Sequence, residues 1–186
     1  PAGALTGTPQ LVVTIPNFQS DKLFSEPVSD ISFSKTGNMI LAQRTMVEPR
    51  RSRAHVSKLL EYVFVSGQWV PSPTKFEVGP VGVHGGCNSA GGVSYTNEGD
   101  VWVTGDRLLP VTGPSSQVIY GMEFIPASGN TASNYSAVGY FIDFDQNVGN
   151  GGKTHVGDVE VFVDRTSCNE NPDVSFTYDV NNSSHT

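Results

Sequence analysis

Apolar and polar residues alternate in short runs along much of this chain, and turn residues separate the runs. Val28–Phe33 alternates in this way, the turn Lys-Thr-Gly-Asn follows at residues 35–38, and residues 39–45 are mostly apolar again. Alternation with a period of two places every second side chain on one face of a strand, and a Gly–Asn turn joins two strands into a hairpin. No segment shows a helical period of about 3.6 over ten or more residues, so we expect little helix.

The same hairpin pattern recurs about every sixty residues. Residues 30–44 align with residues 92–106 and, more loosely, with a third segment whose last part is residues 156–164. A Gly-polar pair marks each copy: Gly37-Asn38, Gly99-Asp100 and Gly157-Asp158, at spacings of 62 and 58 residues. Outer segments also align, at residues 60–64, 120–124 and 174–178. A fixed period of this length is typical of an array of small β units.

The sequence therefore predicts an all-β chain of antiparallel sheets. We expect a lead-in at residues 1–10, one β-repeat domain at residues 11–180, and a polar tail at residues 181–186. The repeats fall near residues 28–70, 89–130 and 139–180. Further strands are expected at residues 11–15, 117–125, 139–144 and 159–163, and a hairpin is favoured over a helix at residues 57–70.

The repeat resembles the blades of a β-propeller. Residues 28–42, Val-Ser-Asp-Ile-Ser-Phe-Ser-Lys-Thr-Gly-Asn-Met-Ile-Leu-Ala, are similar to a motif shared by NHL-type and gluconolactonase-like propellers. The order of residues 88–93, 100–106, 120–122 and 157–160 is more similar still to propeller segments of large bacterial surface proteins. The resemblance covers residues 28–164 and implies about three blade-like repeats, which is a partial β-propeller because typical propellers have ~4–8 blades. Either other copies or the remainder of a larger surface protein complete the arrangement, or the sheets stack in a different way.

Charge and composition narrow the function classes. The formal net charge is −7, which argues against non-specific nucleic-acid binding, because that binding needs a positive surface. No apolar run approaches the ~18 residues of a membrane span. Charged residues make up only 16% of the chain, and this favours an extracellular location or the cell surface. Because the chain starts at Pro1 without a signal-peptide core, we expect a processed product or a piece of a longer protein.

Acidic residues in the last repeat suggest a cation site. Carboxylate and amide oxygens on a Gly-rich loop are the ligands that calcium takes, although the spacing is not that of an EF-hand. A polar hairpin turn is the alternative interpretation. The candidate calcium ligands are Asp143, Asp145, Asn147, Asp158 and Glu160.

A basic loop and one tryptophan are the candidate binding residues. Arg50, Arg51 and Arg53 lie in a short segment that holds five of the eleven Lys and Arg residues. Arginine clusters can bind carboxylate or sulfate groups bidentately, so an acidic glycan or an acidic neighbouring subunit is the expected partner. A solvated loop is the alternative. Trp69 ends a hairpin and is the candidate for stacking on a sugar ring. Trp102 lies in an apolar strand and is expected in the core.

The two cysteines, Cys87 and Cys168, could form one disulfide or remain two buried thiols. His84 and Cys87 are only three residues apart, and a Cys beside a His can form a nucleophile. A Gly-rich turn with a structural cysteine is the alternative, and no third catalytic member is identifiable.

These features support a non-enzymatic extracellular module with a structural, adhesive or filament-forming role, which binds through exposed loops. A metal-dependent propeller hydrolase or lactonase is the second hypothesis. It rests on resemblance to gluconolactonase-like enzymes, with Asn88, Asp106, Asp158 and Glu160 as the nearest candidates for metal ligands. A carbohydrate-binding, lectin-like domain that uses Trp69 is the third hypothesis.

Overall fold

The computed structural model describes residues 8, 11–16, 25–80, 85–108, 119–131, 133–144, 146 and 157–161. Within these residues the chain forms ten strands, one 3₁₀ turn and one helical turn of four residues. The strands are β1 (Val28–Phe33), β2 (Met39–Gln43), β3 (Met46–Glu48), β4 (Arg51–Ser52), β5 (Leu59–Val65), β6 (Gln68–Pro71), β7 (Ser89–Tyr95), β8 (Val101–Gly105), β9 (Gly121–Ile125) and β10 (Tyr140–Asp143). The 3₁₀ turn spans Ala54–Val56, and helix α1 spans Tyr135–Val138.

Two four-stranded antiparallel sheets contain most of the strands. Sheet I has the order β1-β2-β5-β6, and sheet II has the order β10-β9-β8-β7. Strands β3 and β4 form a separate two-stranded ribbon between β2 and β5. The structure thus confirms the predicted all-β class with antiparallel sheets, and it confirms the predicted hairpin of β5 and β6.

The first hairpin of each sheet closes with the same turn, as the sequence repeat predicts. Gly37 and Gly99 both adopt positive φ angles, 87° and 91°, which an L side chain rarely adopts. Their N–H groups donate to the carbonyls of Ser34 (2.9 Å) and Thr96 (3.1 Å). The turns are 62 residues apart in the sequence and have the same hydrogen bonds, so they are equivalent positions of the repeat.

The core lies between the two sheets. Sheet I contributes Ile40, Ala42 and Leu59, and sheet II contributes three valines and other apolar side chains. Phe76 and Val78, from the connection between β6 and β7, join this cluster, as do Leu108 and Ile119 from the connection between β8 and β9. Full burial of a side chain of this size stabilises a fold by about 1.5–3 kcal/mol, so each large apolar side chain between the sheets contributes to stability on that scale.

A second apolar cluster covers part of the other face of sheet I. Met39, Leu41 and Tyr62 are buried there, and Val13 and Ile15 pack against them. The strand predicted at residues 11–15 is therefore not a member of either sheet. Val13 and Ile15 pack on the sheet face, whereas residues 11, 12 and 14 are exposed, so this segment contacts sheet I through side chains and not through backbone pairing.

The outer strands correct two details of the repeat alignment. Met39 pairs with Tyr62 and the equivalent Val101 pairs with Ile125, so Tyr62 corresponds to Ile125 and not to Met122. A shift of three residues moves side chains to the opposite face of a strand. In addition, the segment predicted to begin the third repeat at residue 139 contains β10, which pairs with β9 in sheet II.

Candidate functional site

The contacts between β1 and β7 join residues that are one repeat apart. The Ser29 hydroxyl donates to the carbonyl oxygen of Gly91 (2.8 Å), which lies 62 residues further along the chain. Arg44 Nη1 is 3.4 Å from Asp106 Oδ2, again at a separation of 62 residues. Equivalent positions of two successive repeats therefore lie side by side. We call this set of contacts between β1 and β7, together with Arg44 and Asp106, the repeat interface.

Side chains of β1 bind the free backbone edge of β7. Asp30 Oδ2 accepts a hydrogen bond from Val93 N (2.7 Å), and the Ser32 hydroxyl accepts one from Tyr95 N (3.1 Å). Strand β7 is the edge of sheet II among the described residues, and no described strand pairs with these N–H groups. Short polar side chains thus replace the backbone hydrogen bonds of a neighbouring strand, and they prevent another strand from pairing with this edge.

Residues 157–161 extend the same arrangement beyond sheet II. The N–H of Val161 donates to the Ser94 hydroxyl (3.1 Å), and Ser94 is the repeat equivalent of Ser32. The segment therefore lies along β7 as β7 lies along β1. A Cβ on Gly92 would be 2.8 Å from the Cα of Asp158, so glycine permits this close approach. Residues 157–158 thus match the start of the first strand, and not the turn with which the sequence aligned them.

The close approach brings two carboxylates together. Burial is the main cause that raises the pKa of Asp30, and the neighbouring Asp158 raises it further. Hydrogen bonds from the N–H groups of Val93 and Ile31 oppose this change by stabilising the ionised form. Protonation of Asp30 is therefore favoured relative to a carboxyl in water.

The predicted calcium ligands do not form one group among the described residues. Asp143 ends β10, Asp158 lies beside Asp30, and Glu160 is exposed. Asp145 and Asn147 lie outside the described residues. Across the described part of the chain, no group of three or more His, Cys, Asp or Glu residues is placed to hold a metal. Calcium binding stays a prediction.

Sequence reasoning missed a buried carboxyl, Glu123 on β9. Its side chain faces the core between the sheets and is 0% exposed. Burial raises its pKa to about 8, while a hydrogen bond from Gly79 N to Oε2 (2.8 Å) acts in the opposite direction. The position shares a strand face with Ile125, and this inward parity is the sequence signal that could have identified it.

Two buried amides hold the loop that carries Gly79. Asn88 Nδ2 donates to the carbonyl of Val78 (2.9 Å), and Asn88 Oδ1 lies 2.8 Å from His55 Nδ1. Asn130 binds both backbone groups of Glu77: its Oδ1 accepts from the N–H (2.7 Å), and its Nδ2 donates to the carbonyl (2.8 Å). Both side chains have structural partners at each end of the amide, so the loop is fixed against the core.

The candidate binding residues lie on separate features of sheet I and the ribbon. Arg50 lies at the exposed turn between β3 and β4, and Arg53 is exposed just after the ribbon. Arg51 forms a salt bridge with Glu48 (2.8 Å) in which both side chains are exposed. Trp69 is half-buried, between the rings of Phe33 (centroids 6.2 Å apart) and Phe64 (5.2 Å). The tryptophan therefore belongs to an aromatic sheet face.

Cys87 lines a pocket of about 340 Å³ beside the first residues of β5. Lys58, Glu61 and Glu77 also line this pocket. Burial raises the pKa of the Cys87 thiol; Lys58 lowers it and Glu77 raises it. A raised pKa keeps the thiol protonated, which is the opposite of what a nucleophile needs. His84 and Cys168 lie outside the described residues, so the disulfide stays a prediction.

The comparisons with known proteins assign no family to this chain. No protein-family model matches the sequence, and no curated protein or solved structure matches it. No helix in the described ranges is long and apolar enough to cross a membrane.

Proposed function

We propose that this chain is a structural and adhesive repeat module of an extracellular surface or filament protein. In this proposal sheets I and II are successive blades of a partial β-propeller, and residues 157–161 begin the next blade. The observation that carries the proposal is the repeat interface, in which Ser29 and Gly91, 62 residues apart, are hydrogen-bonded. Arrays of this kind present loops from a stacked core, and each unit contacts its neighbours.

The ribbon is the proposed adhesive element. Arg50 and Arg53 are exposed on or beside a short hairpin that projects between β2 and β5. The whole chain carries a formal net charge of −7, so this cluster of cations is a local exception. Arginine forks bind carboxylate and sulfate groups bidentately, and exposed loop residues are common binding residues. The proposed ligand is therefore an anionic surface polymer.

Two observations weigh against the hydrolase hypothesis. The candidate metal ligand Asn88 is fully buried, and both ends of its amide are used by His55 and Val78. The candidate Asp106 pairs with Arg44. Both residues have a structural role that coordination of a metal would disrupt. The aromatic surroundings of Trp69 similarly favour a protein contact over the sugar stacking of the lectin hypothesis.

Binding to immobilised dextran sulfate tests the proposed adhesive role. The variant R50A/R53A should lose at least tenfold in affinity at low salt, and the wild-type affinity should fall as salt is added. The matched control K35A/K75A also removes two exposed cations and should keep wild-type affinity. Equal affinity of R50A/R53A and wild type would refute the ribbon as the adhesive element.

A further inference from the structure

Positions 30, 92 and 158 are equivalent in three successive segments of the repeat. Each is followed by an apolar residue at the next position and again at the third position. The hydrogen bonds agree with this alignment, because the N–H groups of Tyr95 and Val161 each donate to a serine hydroxyl one segment earlier, at 3.1 Å in both cases. The first and third positions are aspartates, Asp30 and Asp158, and the middle one is Gly92.

The glycine in the middle brings the first and third segments together. A Cβ at Gly92 would be 2.8 Å from the Cα of Asp158 and 2.9 Å from the carbonyl oxygen of Gly157, which is too close for a real side chain. An aspartate at this position, as in the other two segments, would hold the third segment away from β7. Because the side chain is missing, Asp158 reaches Asp30, and the two side chains are hydrogen-bonded to each other.

The hydrogen bond between the two aspartates requires a proton. Asp30 Oδ1 accepts from the N–H of Ile31, and Asp158 Oδ1 accepts from the N–H of Val159, at 2.8 Å in both cases. The second oxygen of Asp30 accepts from Val93 N (2.7 Å). An ionised carboxyl has no hydrogen to donate, so one of the two carboxyls is protonated while they remain hydrogen-bonded.

Few other charges surround the pair. Strands β2 and β7, which pack on β1, contain no Lys, Arg, Asp or Glu, and their one titratable side chain is Tyr95, whose hydroxyl donates to Glu61 (2.6 Å). Arg44 follows β2, but it pairs with Asp106 (3.4 Å). Glu160, in the third segment, is exposed. Within the described ranges, no cation therefore offsets the repulsion of the two carboxylates once the proton has left.

We propose that the contact of residues 157–161 with β7 is a pH-sensitive device, held by one proton between Asp30 and Asp158. When pH rises and the proton leaves, the two carboxylates repel each other and the segment separates from β7. The array is then tighter in acid than at neutral pH. This inference rests on the part of the proposed function that makes residues 157–161 the start of the next blade, and it does not involve the arginine ribbon.

The direction of the effect follows from Asp30. Burial raises the pKa of this carboxyl above its ordinary value of 3.8, and the neighbouring Asp158 raises it further. The docked state therefore binds the proton more tightly than the separated state does. Its advantage is complete below pH 3.8, and it is lost as pH rises through the raised pKa of the docked state.

Amide hydrogen exchange at Val161 measures the contact, because this N–H donates to the Ser94 hydroxyl across it. The full chain is studied by NMR at pH 4, 5, 6 and 7 in the presence of EDTA, and each exchange rate is corrected for the intrinsic rate at that pH. The protection factor of Val161 should fall by about threefold or more from pH 4 to pH 7. The amide of Tyr95, which donates to Ser32, reports on the stacking of the sheets and should keep its protection.

Two matched variants identify the group that titrates. D158N keeps an oxygen that can accept from Val159 N but cannot ionise, so the protection of Val161 should no longer change with pH. In this variant the carboxyl carbon of Asp30 should also titrate at a lower pH than in wild type, because the neighbouring charge is gone. The control E160Q removes an exposed carboxyl from the same segment and should keep the wild-type fall.

The outcomes separate the proton from the proposed function. Protection of Val161 that is high and equal from pH 4 to pH 7 would keep the docked segment, and with it the next blade, but would refute the proton. Absence of protection at every pH would refute both. The same fall in D158N as in wild type would assign the pH dependence to another group and would also overturn the inference.

Discussion

Replacement of Glu123 by Gln should remove a pH dependence from the stability of this chain. The carboxyl is completely buried, and its pKa is raised to about 8 in the fold, whereas the ordinary value of 4.5 applies in the unfolded chain. Between these two values the folded state holds a proton that the unfolded state has released. The free energy of unfolding should therefore fall by about 1.4 kcal/mol for each pH unit in this window.

The sign follows from the direction of the pKa change. Below pH ~4.5 the carboxyl is protonated in both states, so the group costs nothing there. As pH rises from there toward 8, the free energy of unfolding falls progressively, and above the folded pKa Glu123 causes no further fall. Glutamine is neutral throughout and keeps an oxygen that can accept the hydrogen bond from Gly79 N. The stability advantage of E123Q over wild type should accordingly grow from pH 5 to pH 8.

Urea unfolding of wild type and E123Q at pH 5, 6, 7 and 8 measures this difference. The control variant E98Q changes an exposed glutamate in the turn between β7 and β8, and it should show the wild-type dependence on pH. Every titrating group other than Glu123 is common to wild type and E123Q and cancels in that comparison. A difference between E123Q and wild type that stays constant from pH 5 to pH 8 would show that Glu123 is ionised in the fold, and the reasoning from burial would fail.

Two further substitutions test the packing. Gln43 is 1% exposed, and neither polar atom of its side-chain amide has a hydrogen-bond partner within the described ranges. The variant Q43M should therefore raise the free energy of unfolding in urea by about 1–3 kcal/mol. A variant less stable than wild type would mean that the Gln43 amide has a hydrogen-bond partner in the fold. A Cβ at Gly121 would overlap the carbonyl oxygen of Ile142, so G121A should cost about 2 kcal/mol or more in thermal unfolding. The control G157A meets no atom within 4 Å, and equal losses for the two variants would contradict the β9–β10 register.

The hairpins were predictable because their signals are local. Alternation in Val28–Phe33 and the Gly37 turn need only neighbouring residues, and the same turn recurs at Gly99. The outer strands were harder to align because no short turn fixes their register, and an error of three residues at Tyr62 reverses the face. The segment at residues 157–161 was placed incorrectly in the repeat because a Gly–Asp pair there resembles a turn, whereas its position depends on Ser94.

The site depends on long-range contacts and was less accessible from sequence. The arginines of the ribbon could be recognised as an exposed cluster from their spacing alone. The burial of Glu123 follows from the parity of β9, which is known only once β8 and β9 are paired. The structural use of Asn88 depends on His55 and Val78, which reach it from separate segments. No local pattern contains that information.

Nuclear Overhauser contacts across the repeat interface test the central claim most directly. The amide proton of Val93 points at the Asp30 carboxyl and that of Tyr95 at the Ser32 hydroxyl, with N···O distances of 2.7 and 3.1 Å. In a ¹⁵N-edited spectrum, the amide of Val93 should therefore show cross-peaks to the β-protons of Asp30, and the amide of Tyr95 should show cross-peaks to those of Ser32. If Val93 and Tyr95 instead showed cross-peaks to the backbone of a paired strand, the stacking of successive repeats would be contradicted.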